Sequence, residues 1–325
     1  MSIPPSGQQH EISHGGQRAV VVEVGGGLRS YDVDGVAVLD GYAEDEMVTA
    51  ARGQPLLPWP NRLHGGSYTW DGATHPVPED EPEKGNALHG LCRFRSWTPR
   101  TRDAGSVTMG LVLHPSPPYP FALDLTVRYA LDDDGLLVET SAANVGTAAA
   151  PYAQGAHPYL TVGGLVDDAL LTLPARTRVL TDEDQIPTGD EDVTGTDYDF
   201  RTPQAIGDRQ LDFAFTDLER GEDGRAVLTV VSADGGRGAS VWVDEGYPYL
   251  EVFTGDTVPD EQRRRQGLGV EPMTAPPNAF VTGTDLVRLA PGDRVTRRWG
   301  IVPLAVQGRL SGQSGSTTSA SRNPS

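Results

Sequence analysis

The sequence predicts an all-β protein built from antiparallel strands. Apolar residues alternate with polar ones or come in short blocks, rather than recurring at helical spacing. The chain of 325 residues contains 39 glycines and 26 prolines, a composition typical of a fold with many turns. Because β-sandwiches commonly reach about 200–250 residues as one domain, we expect one large antiparallel β-sandwich.

Five segments have the clearest strand pattern. In chain order they are residues 19–24, 107–113, 123–131, 227–231 and 241–243. The sequence Asp-Asp-Asp-Gly at 132–135 follows the third of them, where alternate residues from Leu123 to Leu131 are apolar. A turn signal after an alternating run predicts a hairpin with one buried face. Further turn signals at 25–27, 34–35, 71–72, 234–236 and 291–293 predict more hairpins.

The two ends of the chain are too polar to join a core. We expect residues 1–16 and 308–325 to be disordered and residues 17–307 to form the β domain. The N-terminus has no apolar signal core, and no stretch approaches 18 uninterrupted apolar residues. With Cys92 as the sole cysteine, the chain has no internal disulfide. These features predict a cytoplasmic location.

Charge excludes several classes of partner. The 26 basic and 45 acidic residues give a formal net charge of −19, a field that repels phosphate backbones and anionic lipid head groups. We therefore expect neither nucleic-acid binding nor membrane binding. The charge favours solubility and leaves both a monomer and a dimer open.

Common catalytic signatures are missing from the sequence. It has no glycine-rich nucleotide loop, no HExxH and no GxSxG, which argues against nucleotide chemistry, zinc hydrolysis and a serine nucleophile. The seven histidines lack metal-ligand spacing, so no metal site is predicted. Instead, polar residues stand among glycines, prolines and apolar residues at 60–62, 88–90, 156–160 and 269–272.

In this order, these segments resemble the aldose 1-epimerase family, also called galactose mutarotases, from about residue 18 to 303. The matching text is Asn61-Arg62-Leu63, Gly66-Ser67-Tyr68, Asp71-Gly72, Leu88-His89-Gly90, His157-Pro158-Tyr159, Val252-Phe253-Thr254-Gly255-Asp256, Val270-Glu271-Pro272 and Pro277-Asn278-Ala279. The resemblance implies a large antiparallel supersandwich with an open sugar-binding cleft. It agrees with the strand pattern.

The resemblance also implies a catalytic pair, with His157 as general acid and Glu271 as general base. Asn61, Arg62 and His89 match sugar-binding positions, and Asp212 matches one by local context. Glu251 stands where the family often has a substrate-contacting glutamine, which puts the preferred hexose in question. Ala156 and Leu160 also depart from the usual residues around the histidine motif.

Mutarotation needs such a pair and no redox or group-transfer cofactor. The base removes the proton of the C1 hydroxyl while the acid protonates the ring oxygen, and the ring then opens to the aldehyde. Since an unperturbed histidine titrates near pH ~6.5, His157 needs a neighbouring carboxylate or acceptor to act as an imidazolium at neutral pH. The implied ligand is a free aldohexose such as galactose or glucose.

Two alternatives to free-hexose mutarotation remain open. A hexose-6-phosphate 1-epimerase could use Arg263-Arg264-Arg265 as a phosphate clamp, although a solvated basic stretch is the simpler interpretation. A non-catalytic carbohydrate-binding protein would keep the cleft without needing both His157 and Glu271.

Overall fold

Antiparallel strands form most of the regular structure in residues 3–304, which the computed structural model describes. The first nine are β1 (Gln9–His14), β2 (Gln17–Val22), β3 (Leu28–Val33), β4 (Val36–Ala37), β5 (Pro55–Leu56), β6 (Arg62–His64), β7 (Ser67–Trp70), β8 (Ala73–Pro76) and β9 (Asn86–Leu88). The next nine are β10 (Thr98–Arg102), β11 (Ser106–Leu113), β12 (Leu123–Asp132), β13 (Gly135–Asn144), β14 (Ala150–Tyr152), β15 (Gly155–Ala156), β16 (Tyr159–Leu160), β17 (Leu170–Thr172) and β18 (Ala175–Thr181). The last nine are β19 (Pro187–Asp192), β20 (Gln204–Ala205), β21 (Asp212–Leu218), β22 (Ala226–Val231), β23 (Gly238–Val243), β24 (Tyr249–Phe253), β25 (Leu268–Met273), β26 (Val287–Leu289) and β27 (Arg294–Leu304).

Helical structure in the described residues is limited to single turns. These are the 3-10 turns Val166–Asp168 and Glu261–Arg263 and the short helix α1 (Ala279–Thr282). Within residues 3–304, no helix has the length and apolar character needed to span a membrane.

Two large sheets dominate the fold. One has nine strands in the order β10-β11-β12-β13-β27-β23-β22-β17-β20, and the other has the order β19-β18-β21-β24-β25-β15-β5, with β16 also paired to β25. One cluster of buried apolar residues takes members from both sheets, among them Val127 and Leu228 from the first and Leu250 and Val252 from the second. The predicted all-β antiparallel sandwich is confirmed.

The hairpin predicted at 132–135 joins β12 to β13. Asp132 is the register partner of Gly135, and Leu123, Leu125, Val127 and Tyr129 are buried on one face of β12. Alternation of this kind buries one side of a strand and leaves the other accessible. The sequence pattern therefore located this hairpin correctly.

The prediction that residues 1–16 are disordered is wrong for Gln9–His14. This segment forms β1 and pairs with β2 along its whole length, from Gln9 opposite Val22 to His14 opposite Gln17. Ile12 provides an apolar anchor, because its side chain is buried in the main core. One well-placed isoleucine and a complete backbone ladder thus order a segment of polar composition. The predicted C-terminal tail, 308–325, lies outside the described residues.

Candidate active site

Three carboxyl side chains lie on one face of the second large sheet. Glu251 in β24 is the register partner of Glu271 in β25. Asp212 in β21 is paired with Phe253, two residues along β24 from Glu251. Directly paired residues, and residues two apart on a strand, share a face of the sheet. The three carboxyl groups therefore project from adjacent strands into the same space.

His157 lies opposite Glu271 because of the pairing on the other side of β25. Gly155 is paired with Met273 and Tyr159 with Gly269, so His157, midway between Gly155 and Tyr159, faces Glu271. Its Nε2 is 3.1 Å from Oε1 of Glu271, and both side chains are about 5% exposed or less. Two residues from distant parts of the sequence thus form one buried hydrogen-bonded pair.

The imidazole of His157 is held on several sides. It stacks on the ring of Tyr159 with a centroid distance of 4.8 Å and an angle of 4°. Gly269 lies on another side, where an added Cβ would be 3.3 Å from Cε1 of His157. The backbone is fixed as well, since Gly53 N–H donates to the His157 carbonyl at 2.9 Å and His157 N–H donates to the Gln54 carbonyl at 3.1 Å.

Asn61 and His89 form a reciprocal clamp. Asn61 N–H donates to Nδ1 of His89 at 3.1 Å, and His89 N–H donates to the Asn61 carbonyl at 2.8 Å. Both residues have positive φ, 53° and 59°, a conformation that costs free energy in a non-glycine residue. The His89 ring meets that of His157 edge-on at 5.3 Å. The clamp therefore fixes one side of the site.

Arg62 is held beside the carboxyl cluster by Glu81. Its Nε and Nη2 donate to the two carboxylate oxygens of Glu81 at 2.9 and 3.2 Å. Such a bidentate pair fixes the guanidinium plane as well as its position. The positive charge of Arg62 limits the rise in the pKa of Glu251 and Asp212, so the arginine acts on the cluster while remaining bound to another partner.

Burial changes the charge expected for the His157–Glu271 pair. It lowers the pKa of His157 to about 3, with further lowering by Arg52 and Arg93. It raises the pKa of Glu271 well above its ordinary value, with a further rise caused by Glu251. In the free site the shared proton therefore favours Glu271, with His157 neutral. The carboxyl neighbour that His157 needs in order to become an imidazolium is present in Glu271, 3.1 Å away.

The other two carboxyl groups are also shifted toward their neutral forms. Burial, followed by the charge of Asp212, raises the pKa of Glu251 to about 8. Burial likewise raises the pKa of Asp212, against the opposing effect of Arg62. Each group is desolvated and faces like charges, the two conditions that disfavour ionisation of an acid.

A contact from a distant hairpin reaches this cluster. Gln185, in the turn between β18 and β19, donates through its side-chain amide to Asp212. Lys84 donates in turn to the amide oxygen of Gln185 at 2.5 Å. The turn therefore closes the Asp212 side of the site.

No metal site was predicted from the sequence, but one group of residues in the structure has the ligand types and spacing of such a site. His89, His157 and Glu271 offer ligand atoms within 4.8 Å of one another. Nδ1 of neutral His89, however, accepts the Asn61 N–H, which leaves the proton on Nε2 and neither nitrogen with a free lone pair. His89 is thus arranged as a hydrogen-bond donor rather than as a metal ligand.

All seven residues singled out from the sequence lie in this one region. Sequence reasoning missed Arg52, whose guanidinium lies 4.4 Å from the Tyr159 ring centroid, and it missed Gln185. Neither residue stands in a distinctive motif, and only the long-range pairing brings them to the site. Tyr159, which follows the histidine in the same motif, is buried against His157.

The arginines at 263–265 are already paired with acidic residues. Arg263 pairs with Asp40 at 2.6 Å, and Arg265 pairs with Asp167 and Asp256 at 2.6 and 2.8 Å. Arg264 lies 3.4 Å from Glu261. Arg263 and Arg265 are thus held by acidic partners, whereas Arg264, with 42% of its side chain exposed, pairs with the exposed Glu261 and is partly solvated.

Comparison with known proteins adds a family assignment to this geometry. The family model described as aldose 1-epimerase matches residues 8–301. The uncharacterized protein YihR of Escherichia coli K12 is 36% identical over 292 residues, covering 88% of this chain and 90% of YihR.

Solved structures share the fold at lower identity. The GalM/aldose epimerase homologue of C. elegans superposes with a TM-score of 0.81 at 20% identity, covering 92% of this chain and 99% of that one. Galactose 1-epimerase from Lactobacillus acidophilus NCFM gives a TM-score of 0.74 at 19% identity, covering 90% and 92%. These structures show the shared fold, and the match of the family model over nearly the whole chain shows that this protein belongs to the aldose 1-epimerase family.

Proposed function

We propose that this protein is an aldose 1-epimerase that interconverts the α and β anomers of a free hexose, with Glu271 as base and His157 as acid. The observation that carries the proposal is the buried hydrogen bond between Nε2 of His157 and Oε1 of Glu271. O1 and O5 of an aldose are bonded to the same carbon, so an acid and a base that lie side by side can serve both oxygens.

The pair needs only one proton for the whole cycle. From the neutral state, Glu271 passes its proton to Nε2 of His157, giving a carboxylate and an imidazolium. The carboxylate then removes the O1 proton while the imidazolium protonates O5, and the C1–O5 bond breaks to leave the open-chain aldehyde. Glu271 again holds the proton and His157 is neutral, so closure on either face of the aldehyde can follow.

The surrounding groups support sugar binding at this pair. Oε2 of Glu271, Oε2 of Glu251 and Nδ1 of His157 are buried without a hydrogen-bond partner among the described residues. Buried polar atoms are normally paired, and sugar hydroxyls supply both donors and acceptors. Nε2–H of His89 and the guanidinium of Arg62 add donors, which suits a polyhydroxylated ligand.

Polarimetry of freshly dissolved α-D-galactose and α-D-glucose tests the proposal. We expect the protein to accelerate mutarotation over buffer, and we expect Glu271→Gln and His157→Asn each to lose about 10²–10⁴-fold in kcat. Glu11→Gln is a matched control, because Glu11 is half exposed and pairs with Arg18 outside the site. Failure of the protein to accelerate either sugar, or full activity in both site variants, contradicts the proposal.

A further inference from the structure

Glu251 occupies an unusual position for a carboxyl group. It lies in the middle of β24, it is 2% exposed, and its strand is flanked by β21 on one side and β25 on the other. Oε2 has no hydrogen-bond partner among the described residues. A buried polar atom of this kind, facing a site with other unpaired polar atoms, points to a ligand that completes its hydrogen bonding.

The groups that face Glu251 do not compensate a full negative charge. Asp212 faces it from β21 and Glu271 from β25. Asn61 and Arg62 face it from the start of β6. Arg62 is the one cation among these, and its guanidinium already binds both oxygens of Glu81. Three carboxyl groups thus share one arginine that has another partner, and Lys84 adds a positive charge that acts on Asp212.

The ionisation state of Glu251 decides what it can offer a sugar. An ionised carboxylate only accepts hydrogen bonds, whereas the neutral acid carries one O–H donor and keeps acceptor capacity. A neutral acid therefore presents the same pair of functions as a glutamine amide. Because like charges and burial both oppose ionisation at this position, the neutral form is the one that the surroundings stabilise.

We propose that Glu251 binds the sugar as a neutral carboxylic acid, donating its O–H to a sugar hydroxyl oxygen, and that this contact sets the affinity of the site. The inference rests on the proposed function only in taking a sugar as the ligand. The pKa of Glu251, raised to about 8 by burial and by Asp212, agrees with it. Affinity should then fall as the carboxyl group ionises in mildly alkaline solution.

Infrared difference spectroscopy tests the state of Glu251 without any sugar. The spectrum of the protein minus that of Glu251→Gln should contain a protonated-carboxyl C=O band at pH 7. That band should give way to carboxylate bands between pH 7 and 9. Carboxylate bands already present at pH 7 overturn the proposal. Glu11→Gln, an exposed Glu→Gln change, should show carboxylate bands throughout this range and serves as the control.

Titration calorimetry with D-galactose and D-glucose tests the contact itself. If binding requires the protonated form, the Kd of the unmodified protein should be about tenfold higher at pH 9 than at pH 7. Binding at pH 9 should also take up a proton, measured in buffers of different ionisation enthalpy. Glu251→Gln should bind with a Kd that does not show this change. Proton release on binding at pH 7, or the same pH dependence in Glu251→Gln, overturns the proposal.

The two proposals can fail separately. The effect of Glu251→Gln should appear in the pH dependence of KM, which should stay flat between pH 7 and 9 in the variant and rise in the unmodified protein. If the unmodified protein binds the sugar normally but does not accelerate mutarotation, the acid and base roles of His157 and Glu271 are contradicted. Normal mutarotation with pH-independent affinity contradicts the binding of the sugar by a neutral Glu251.

Discussion

At the scale of single residues, the main finding is that position alone does not give the charge of His157. The motif identified this histidine, but its pKa depends on burial and on Arg52 and Arg93. Arg52 is far away in sequence and reaches the site only through the fold. Sequence reasoning therefore predicted which residues form the pair but not where their proton resides.

This leads to a prediction about the pH profile. Because the pKa of His157 is lowered to about 3 and that of Glu271 is raised, the singly protonated pair persists from acid to neutral pH. We expect kcat/KM for galactose to show no inflection near pH ~6.5, the ordinary histidine value. The acid limb should appear only as the pH falls toward the lowered pKa of His157, where the histidine gains a second proton for the pair.

Arg52→Gln provides the matched variant for that profile. Removing the positive charge of Arg52 should raise the pKa of His157 and move the acid limb of the kcat/KM profile to higher pH. Asp40 would lose one partner in this variant but keep Arg263. An inflection near pH ~6.5 in the unmodified protein, or an unchanged acid limb in Arg52→Gln, contradicts the interpretation.

At the scale of secondary-structure elements, the segment that follows β9 shows how strained backbone places site residues. Gly90 follows His89, has φ of +73°, and packs so closely that an added Cβ would lie 2.1 Å from the Leu57 carbonyl oxygen. Only glycine meets both conditions without cost. The orientation of His89 therefore depends on its neighbour having no side chain.

We expect Gly90→Ala to lower the free energy of unfolding by about 1–3 kcal/mol or more and to weaken sugar binding by displacing His89. Gly72→Ala is a matched control, because Gly72 has a similar φ of +81° but nothing within 4 Å of an added Cβ. Urea denaturation of both variants separates the cost of positive φ from the cost of crowding. Equal losses in the two variants would contradict the crowding argument.

The turn between β18 and β19 gives a second prediction for an element. Gln185 donates to Asp212, so Gln185→Ala should free that carboxyl group and raise KM several-fold, the equivalent of about 1 kcal/mol. The proton-transfer pair is untouched, so kcat should change less. Thr188→Ala, at an exposed position of the same hairpin, is the control. A kcat loss without a change in KM would contradict this role for Gln185.

The sequence predicted some strands accurately and others not at all. For alternating strands such as β11, β12 and β22, the predicted ends agree closely with the observed ones, because a strand with one buried face has a clear sequence pattern. The two-residue strands β5, β15 and β16 carry no such signal, although β15 and β16 flank His157. β25 is buried at all six positions, so it also lacks alternation.

At the scale of the whole molecule, β27 connects distant parts of the first sheet. It pairs with β13 on one side and β23 on the other, and Trp299 is opposite Val138 and Val243. Local sequence predicted hairpins, but it could not predict that the last strand would enter the middle of a nine-stranded sheet. Pairings of that kind, like the convergence of Asp212, Glu251 and Glu271, depend on contacts far apart in the chain.

Trp299→Ala should therefore destabilise the entire fold. Trp299 is 2% exposed, and truncating a buried aromatic residue of this size costs about 3–5 kcal/mol. Arg298→Ala is the neighbouring control, because its pair with Glu139 is partly exposed and such pairs contribute about 0–1 kcal/mol. Urea midpoints, followed by intrinsic fluorescence and circular dichroism, measure both. A loss below about 1 kcal/mol for Trp299→Ala would contradict the central role of β27.

Lys84 is the only lysine in the 325 residues, and its Nζ bonds to Gln185 beside Asp212. Apart from the chain's amino terminus, the protein thus presents one primary amine, and it lies at the edge of the proposed sugar site. Amine-reactive chemistry will therefore modify this protein at its amino terminus and next to that site, rather than at random over its surface. A surface or probe attached at Lys84 will obstruct the sugar, and a bound sugar will in turn slow the attachment at Lys84.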